Sequence, residues 1–594
     1  MGTVSTRPNK FSIKTRIEMY QSIYIDKDPD SGESVVHLWG DGRNNDLGYN
    51  TFPYSEFAYA YKKDPKGDLL SLYGDKIRKV FNYEESDPNL FESDVPRETR
   101  ILVDKYLDDD QPSEGHRILF FDIEVSMEKG IPDPMKGNNE ITSIAYVDMT
   151  TMEKVVLLLD KDSKFTESEM FGATIYPFET EYELLSFFLD RYSEIAPSVI
   201  SHWNGDAFDI PYLFNRIKRE LGPDEARRLS PIGRIKYHQF KEKYIIAGVS
   251  SLDYMSLYKT FTYNEQPSFR LDAIGKVEVD MGKIEYDGTL DALFKNDPET
   301  FVKYNLRDVD ILVALDKKLR FIELAMGICH VGHVPYEEFQ SSTKYIEGTI
   351  LVYLHKKGII APDKPVGGRE KMDEMISSGK KGFIGAYVKE PVPGLYEWVY
   401  SLDLQSLYPS VIMSLNISPE TKIAKVLNWD VNKHIKNEIE RYQIKSLDGS
   451  IEKIDRNEFD DFIKSSSYSV ASNGVLFRND ITGIIPEILD VWFRERKEYK
   501  ALADKYSKEG NKDLEQYYDK RQHIQKIFLN SIYGGLGLPV FRFYDLDNAE
   551  AVTMTGQTVI TTTQKFVNSE YKNNLSMGEN VHVENNDYVI YVDT

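Results

Sequence analysis

The stretch Arg117-Ile118-Leu119-Phe120-Phe121-Asp122-Ile123-Glu124-Val125 reads as a buried strand with two acids set into it. Its period of two places Asp122 and Glu124 on one face. A carboxylate inside an apolar strand is costly unless it is paired or bound to a metal. Farther along, Ser198-Val199-Ile200-Ser201-His202-Trp203-Asn204 reads as a strand that leads into Gly205-Asp206-Ala207-Phe208-Asp209-Ile210-Pro211. Taken alone, Asp209 is an N-cap before a helix with proline near its start. Asp206 stands beside it with no assigned role. Residues 297–326 read as one helix opened by Pro298, in which Tyr304 and Asp308, four apart, share a face.

The chain has 594 residues, enough for several domains, and its 41% hydrophobic and 28% charged composition is an ordinary globular balance. No apolar run is long enough to span a bilayer, and Met1-Gly2-Thr3-Val4-Ser5 does not open a signal peptide. A single cysteine, Cys329, excludes internal disulfides and cysteine-rich zinc sites, which suits a reducing cytoplasm. The formal charge of −23 argues at first sight against a DNA partner, but DNA responds to local patches. One such patch is residues 216–243, with nine Lys/Arg against four acids. A solvated helix-and-loop face and a DNA contact are equally compatible with it. Residues 108–112 read as an acidic, proline-containing linker.

The second half holds three further stretches. Ser401-Leu402-Asp403-Leu404-Gln405-Ser406-Leu407-Tyr408-Pro409-Ser410 follows a β-leaning run, and Pro409 stops strand pairing, so Asp403 is expected at a strand end beside free N–H groups. Alone it is a turn or N-cap aspartate. The others are Lys526-Ile527-Phe528-Leu529-Asn530-Ser531-Ile532-Tyr533-Gly534 and Tyr588-Val589-Ile590-Tyr591-Val592-Asp593-Thr594. Two helices on either side of Gly510-Asn511 form an expected hairpin. Arg496 lies 14 residues before Gly510 and Lys526 16 after it, so the hairpin brings them to about the same level. Residues 425–467 lack a clear period and are expected to form an insertion of helical character.

These stretches resemble the motifs of family B DNA polymerases. That family carries D-x-x-S-L-Y-P-S, K-x-x-x-N-S-x-Y-G and Y-x-D-T-D-S; the third is matched here only through Asp593-Thr594. The segments around Asp122, Asp209 and Asp308 resemble the D-x-E, N-x-x-x-F-D and Y-x-x-x-D motifs of proofreading 3′→5′ exonucleases. Within the family, Trp203-Asn204, Phe208-Asp209-Ile210-Pro211-Tyr212, Asn215-Arg216-Ile217-Lys218 and Tyr286-Asp287-Gly288 resemble the replicative polymerases of T-even-type bacteriophages. The hairpin is shorter than that branch leads one to expect.

The resemblance implies an α/β multidomain protein: a ribonuclease-H-like exonuclease domain plus a partial right-hand polymerase with palm and helical fingers and no thumb. The implied domains are 1–115 with 321–385 (N-terminal), 116–320 (exonuclease), 386–480 with 536–594 (palm, incomplete) and 481–535 (fingers). It implies two Mg²⁺ ions, replaceable by Mn²⁺, at each of two sites. Asp122, Glu124, Asp209 and Asp308 would hold one pair, with Tyr304 orienting the attacking water. Asp403, the carbonyl of Leu404 and Asp593 would hold the other. Ser406, Leu407 and Tyr408 would cradle a triphosphate, Tyr408 also excluding a ribose 2′-hydroxyl. Arg496, Lys500, Lys526 and Asn530 would bind the dNTP, with Tyr533 and Gly534 against the new base pair. Implied partners are primer-template DNA, dNTPs and, beyond the present sequence, a sliding clamp; a membrane is not among them. The expected place is the cytoplasm, a host's if the source is viral. The ending inside the third motif is read as a split gene whose second polypeptide supplies the rest, ahead of a shortened or incomplete reading frame. A stand-alone 3′→5′ exonuclease with a vestigial palm and a non-catalytic DNA-binding subunit are the alternatives.

Overall fold

The structure is a computed structural model that describes residues 19–41, 48–84, 86–262, 265–378, 385–388, 393, 395 and 403–574. The chain divides into two units, Met1–Ala58 with Arg97–Ser341, and Tyr59–Pro96 with Ser342–Thr594. The domain boundaries expected from sequence are finer than this division. Asp593 and the expected strand before it lie outside the described residues, as does the expected strand that precedes Asp403.

The first unit is built on a seven-stranded mixed sheet in the order Ser168–Met170, Ala173–Phe178, Glu153–Leu159, Ile141–Asp148, Ile118–Val125, Val199–Ser201, Ser250–Ser251. Ile118–Val125 runs antiparallel to Ile141–Asp148 and parallel to Val199–Ser201. Alternation decides the two faces. Leu119, Phe121, Ile123 and Val125 enter a core with Leu184, Leu185, Phe188, Ile210, Leu213 and Ile217. Each such burial stabilises by roughly 1.5–3 kcal/mol. Asp122 and Glu124 are thereby turned to the opposite face, where the helix Pro298–Leu319 packs.

Helix Glu181–Ile195 opens with a complete capping box between Thr180 and Glu183. Its Glu181 takes the buried Arg216, with Nε at 2.8 Å from Oε1, and the Ile141 amide, also at 2.8 Å. This pairing locks helix Asp209–Glu220 in place beside the sheet. The long helix expected over 297–326 ends earlier. Arg320 adopts a left-handed φ of 55° and a new helix, Phe321–Gly332, begins.

The second unit contains a five-stranded sheet in which Ile359–Ile360 pairs in parallel with Leu69–Ser71. A second sheet of five strands runs Ile451–Asp455, Arg441–Ser446, Lys422–Val426, Val475–Arg478, Tyr468–Val470, all antiparallel. The insertion expected over 425–467 mixes helices Val431–Ile435 and Arg456–Ser466 with strands of this sheet. Its alternation is short, Tyr442 and Ile444 between charged neighbours, and Phe459 stacks on Tyr442 at 4.1 Å to complete the core.

The hairpin is present as Ile484–Lys508 and Lys512–Leu536. Gly510 turns with φ 72°, and the Asn511 side chain caps the second helix by accepting the Leu514 amide at 3.2 Å. Gln525 to Glu495 at 2.6 Å and Trp492 against Phe528 at 5.3 Å fix the pairing of the two helices. No described helix is long and apolar enough to cross a membrane.

Candidate active site

The carboxylates of the first unit meet at one end of the sheet. Asp122, Glu124 and Asp308 each bring an oxygen within 4.8 Å of the others. Asp308 comes from the helix Pro298–Leu319, one turn after Tyr304. Asp209, the fourth expected ligand, is not in that close trio. Its Oδ1 accepts the Ile123 amide at 3.3 Å, where the short strand Val199–Ser201 has run out and can no longer pair with that amide. The two acids of the strand are thus flanked by Asp308 from one helix and Asp209 from the start of another.

Asn305 donates to Asp122 Oδ2 at 2.8 Å and accepts from Ser143 Oγ at 2.8 Å. The Lys283 ammonium pairs with Asp308 and lies 3.3 Å from the Tyr304 hydroxyl and 5.1 Å from its ring centre. Asp308 Oδ1 is buried without a partner. A cleft of about 1130 Å³ opens onto the group, lined among others by Trp203, Phe269, Arg270, Lys276 and Tyr286.

Burial and mutual repulsion hold these acids toward their neutral forms. Asp122 is pushed well above the usual carboxylate range by burial, then by Asp308, Asp209 and Glu124, with Lys283 opposing. Glu124 rises to about 8, through burial and then Asp308. Asp209 rises to about 6, chiefly through burial. Burial raises Asp308 as well, against the pull of Lys283. Tyr304 is raised to about 12 by burial, so its hydroxyl keeps its proton. One ammonium among four acids leaves negative charge uncompensated. Hard oxygen donors, an orphaned buried carboxylate oxygen and surplus charge fit a divalent cation of the Mg²⁺ type.

This electrostatics has a measurable consequence. The folded state binds a proton at Glu124 more tightly than the unfolded chain does, so stability falls as pH rises from about 5 to 8. In EDTA the melting temperature of the unit should drop over that window. Added Mg²⁺ or Mn²⁺ should raise it most at about pH 8, where the acids are ionised. A melting temperature in EDTA that climbs with pH would contradict the raised acids.

Lys283, Asn305 and Ser143 were not picked out from sequence. Lys283 sits in a glycine-containing polar loop with no period, Asn305 is an ordinary polar residue of an amphipathic helix, and Ser143 interrupts an apolar strand. Only that last interruption was a visible signal.

The basic patch over 216–243 is mostly consumed within the unit. Arg216 pairs with Glu181, Arg227 with Asp224, Arg228 with Asp190 and Glu225, Arg234 with Asp26, Lys241 with Glu338, and Lys243 with Asp206.

In the second unit Asp403 and Leu404 are exposed just ahead of helix Leu407–Leu415, which Ser406 enters with φ 51°. The Tyr408 and Tyr533 rings lie 4.5 Å apart, and a methyl on Gly556 would come within 2.9 Å of Tyr408. Lys526 and Asn530 are exposed one turn apart; Lys500 is exposed and Arg496 half-buried. Burial lowers the pKa of His523, Lys526 and Arg496 both depress it further, and Asp519 opposes them, so both cations act on one imidazole. Gly534 is exposed beside Tyr533.

Comparison with known sequences gives two family matches: DNA polymerase family B over residues 338–594, and the exonuclease domain of DNA polymerase family B over residues 82–274. Asp122, Glu124 and Asp209 fall inside the second match and Asp308 beyond it. The chain is 28% identical over 553 residues to the DNA-directed DNA polymerase of Escherichia phage RB69, covering 80% of this chain and 57% of that protein. It is 29% identical over 532 residues to the DNA-directed DNA polymerase of Enterobacteria phage T4, covering 77% and 55%. With DNA polymerase 1 of Saccharolobus solfataricus it shares 28% identity over 503 residues, 81% of this chain and 49% of that one. The chain thus spans about half the length of these relatives.

Proposed function

Because this chain belongs to the family B DNA polymerases and carries that family's exonuclease domain, we propose that its first unit removes nucleotides from the 3′ end of DNA and that its second unit forms part of a template-directed polymerase. The seven-stranded sheet is read as ribonuclease-H-like, the hairpin as the fingers, and the elements around Asp403 as palm. The observation that carries the exonuclease reading is the trio Asp122, Glu124 and Asp308, gathered within 4.8 Å at the mouth of a cleft.

In this reading Asp122, Glu124 and Asp308, with Asp209, hold two divalent cations, Mg²⁺ or Mn²⁺. Such ions, when bound, supply Lewis-acid activation of water and stabilise the leaving 3′-oxygen. Asn305 and Ser143 fix the rotamer of Asp122. Tyr304, protonated at neutral pH, hydrogen-bonds the attacking water and does not act as its base. Lys283 holds Tyr304 and neutralises part of the charge on Asp308. The test is a 5′-labelled single strand incubated with the full chain and Mg²⁺. A ladder shortening from the 3′ end supports the reading. Intact DNA, or shortening from the 5′ end, overturns it.

For the polymerase part, Asp403, the Leu404 carbonyl and Asp593 hold a second pair of ions; Ser406, Leu407 and Tyr408 cradle the triphosphate. Arg496, Lys500, Lys526 and Asn530 hold the incoming dNTP, and Tyr533 and Gly534 face the nascent base pair on primer-template DNA. Arg496 and Lys526 both acting on His523, and Tyr408 beside Tyr533 and Gly556, support this. The family's third motif carries a further carboxylate that residues 588–594 do not include. In the completed polymerase, Lys526→Ala should raise the KM for dNTP about tenfold or more, since charge-assisted contacts to phosphate are worth about 1.5–3 kcal/mol. Tyr408→Ala should admit ribonucleotides. Unchanged dNTP KM and unchanged sugar discrimination would count against these roles.

A further inference from the structure

Asp209 reaches the cluster from a turn, residues 203–208, that contains a buried histidine's partners but no metal-binding role of its own. His202 is fully buried, with its ring edge-on to Phe121, the neighbour of Asp122, at 5.7 Å. The Gly205 amide donates to its Nδ1 at 2.9 Å. With Gly205 as its donor that nitrogen is the bare one, and the ring proton sits on Nε2. From Nε2 it donates to Ser251 Oγ at 3.0 Å, Ser251 donates to Asp206 Oδ1 at 2.5 Å, and Lys243 donates to Asp206 Oδ2 at 3.1 Å. Every donor in this series meets an acceptor, and the series runs in one direction.

The same residue carries the link onward. Its carbonyl accepts the Ile210 amide at 2.9 Å, the residue that follows Asp209. One residue, through the two peptide groups that meet at its Cα, therefore joins the imidazole to the first turn of helix Asp209–Glu220. Gly205 has to be glycine for this: a methyl there would come within 2.4 Å of the His202 ring. The groups facing the ring are Asp253, whose Oδ2 is 3.2 Å from Nδ1, and Asp206, 3.7 Å from Nε2. Asp209 adds a weaker field, and Lys243 stands behind Asp206. A ring protonated at Nδ1 would turn to Asp253 and give up Gly205. Asp253 is itself fixed by capping helix Tyr254–Phe261 through the Ser256 amide at 2.9 Å.

We propose that His202 is a positioning residue for the exonuclease site: acting through Gly205, and steadied by Ser251, Asp206 and Lys243, it sets where Asp209 stands relative to Asp122 and Glu124. This rests on the exonuclease reading above and assigns a role to Asp206, which binds no metal in that reading. Residues that orient a metal ligand cost about 10- to 100-fold in metal affinity or activity when lost.

The test uses the full chain and two substitutions. His202→Leu keeps bulk and removes the acceptor for Gly205. His202→Asn places an amide oxygen near the position of Nδ1 and keeps the acceptor. Mn²⁺ binding is followed by electron paramagnetic resonance, exonuclease kcat and KM on a single strand, and folding by thermal melting. Expected for His202→Leu are a weakening of Mn²⁺ binding and a fall in kcat of about 10- to 100-fold, with KM for DNA unmoved. His202→Asn should recover most of both. If His202→Leu does not fold, Gly205→Ala, whose methyl wedges the turn off the ring, takes its place with the same expectation. Wild-type Mn²⁺ affinity in the Leu variant overturns the proposal. So does a loss in folded His202→Asn as large as in His202→Leu. Because Mn²⁺ binding is read without DNA, a wild-type chain that binds Mn²⁺ but releases no nucleotides would sink the exonuclease reading while the comparison of variants still decides this one.

Discussion

Replacing Asp122 and Glu124 together by alanine should lower 3′-terminal nucleotide release by about 10³-fold or more. Charge stabilisation by bound cations is worth several kcal/mol, and each 1.36 kcal/mol is about tenfold in rate. The double variant removes two of the three closest oxygen donors and leaves Asp308 paired with Lys283. It should fold well. Both acids are held toward their neutral forms by burial and then by Asp308, so their loss relieves repulsion. In metal-free buffer the melting temperature is expected to stay level or rise, and the additional stabilisation by Mn²⁺ should vanish. Measured in parallel, rate and melting separate a lost site from a lost fold. A variant that digests single-stranded DNA as fast as the parent would show that the chemistry happens elsewhere.

The second large effect concerns stability of the other unit. Arg542 has no exposed side-chain surface. Its Nε and Nη2 reach Glu347 Oε1 at 3.0 and 2.6 Å, and its Nη1 reaches Asp94 Oδ1 at 2.6 Å and the Pro362 carbonyl at 2.7 Å. Burial works against an ionised Asp94, but Arg542 outweighs it and holds that carboxyl below the usual range. Arg542→Ala leaves Glu347 only the Lys364 ammonium and Asp94 only the Lys364 amide, and orphans the Pro362 carbonyl. Removing one partner of a buried ion pair costs about 3–5 kcal/mol, and Arg542→Lys should recover only part, because an ammonium lacks the planar fork that serves both acids. Denaturant unfolding followed by a probe within the second unit measures this. A loss under about 1 kcal/mol would mean that the acids find water or protons at little cost. The guanidinium also explains why residues 59–96 belong with the later chain: Asp94, Glu347, Pro362 and Arg542 converge on one buried point.

Much of the candidate site was legible in the sequence because its signals are local. Two acids at period two in an apolar strand share a face whatever surrounds them, and Tyr304 and Asp308 share a helix face by their spacing alone. What could not be read was everything that depends on long-range return of the chain. Lys283 reaches Asp308 from a loop, and nothing in that loop announces its destination. The ions of residues 216–243 have their acids elsewhere, at Glu181, Asp190, Asp26 and Glu338, so a count within the window overstated the free positive charge. The strands of the 425–467 region were hidden for another reason. Only alternate residues such as Tyr442 and Ile444 are buried there, and the polar side chains Arg441, Gln443 and Lys445 around them mask so short a pattern. The expected junction of 297–326 into one helix failed at Arg320, whose left-handed turn no arginine advertises.

The alternation of Ile118–Val125 bears on which genetic lesions this protein tolerates. A missense change at Asp122 removes one ligand and leaves its neighbours facing where they did. An in-frame loss of a single codon between 118 and 121 is different in kind. If the strand keeps its pairing with Ile141–Asp148 beyond the lesion, its earlier residues swap sides. If it keeps the pairing before the lesion, both acids rotate into the layer of Leu184, Phe188 and Leu213. The reading frame survives, and no residue of the site is altered, yet the damage equals that of deleting the site. Short indels in this strand should therefore be purged as strictly as nonsense codons, while conservative swaps at Leu119 or Phe121 pass.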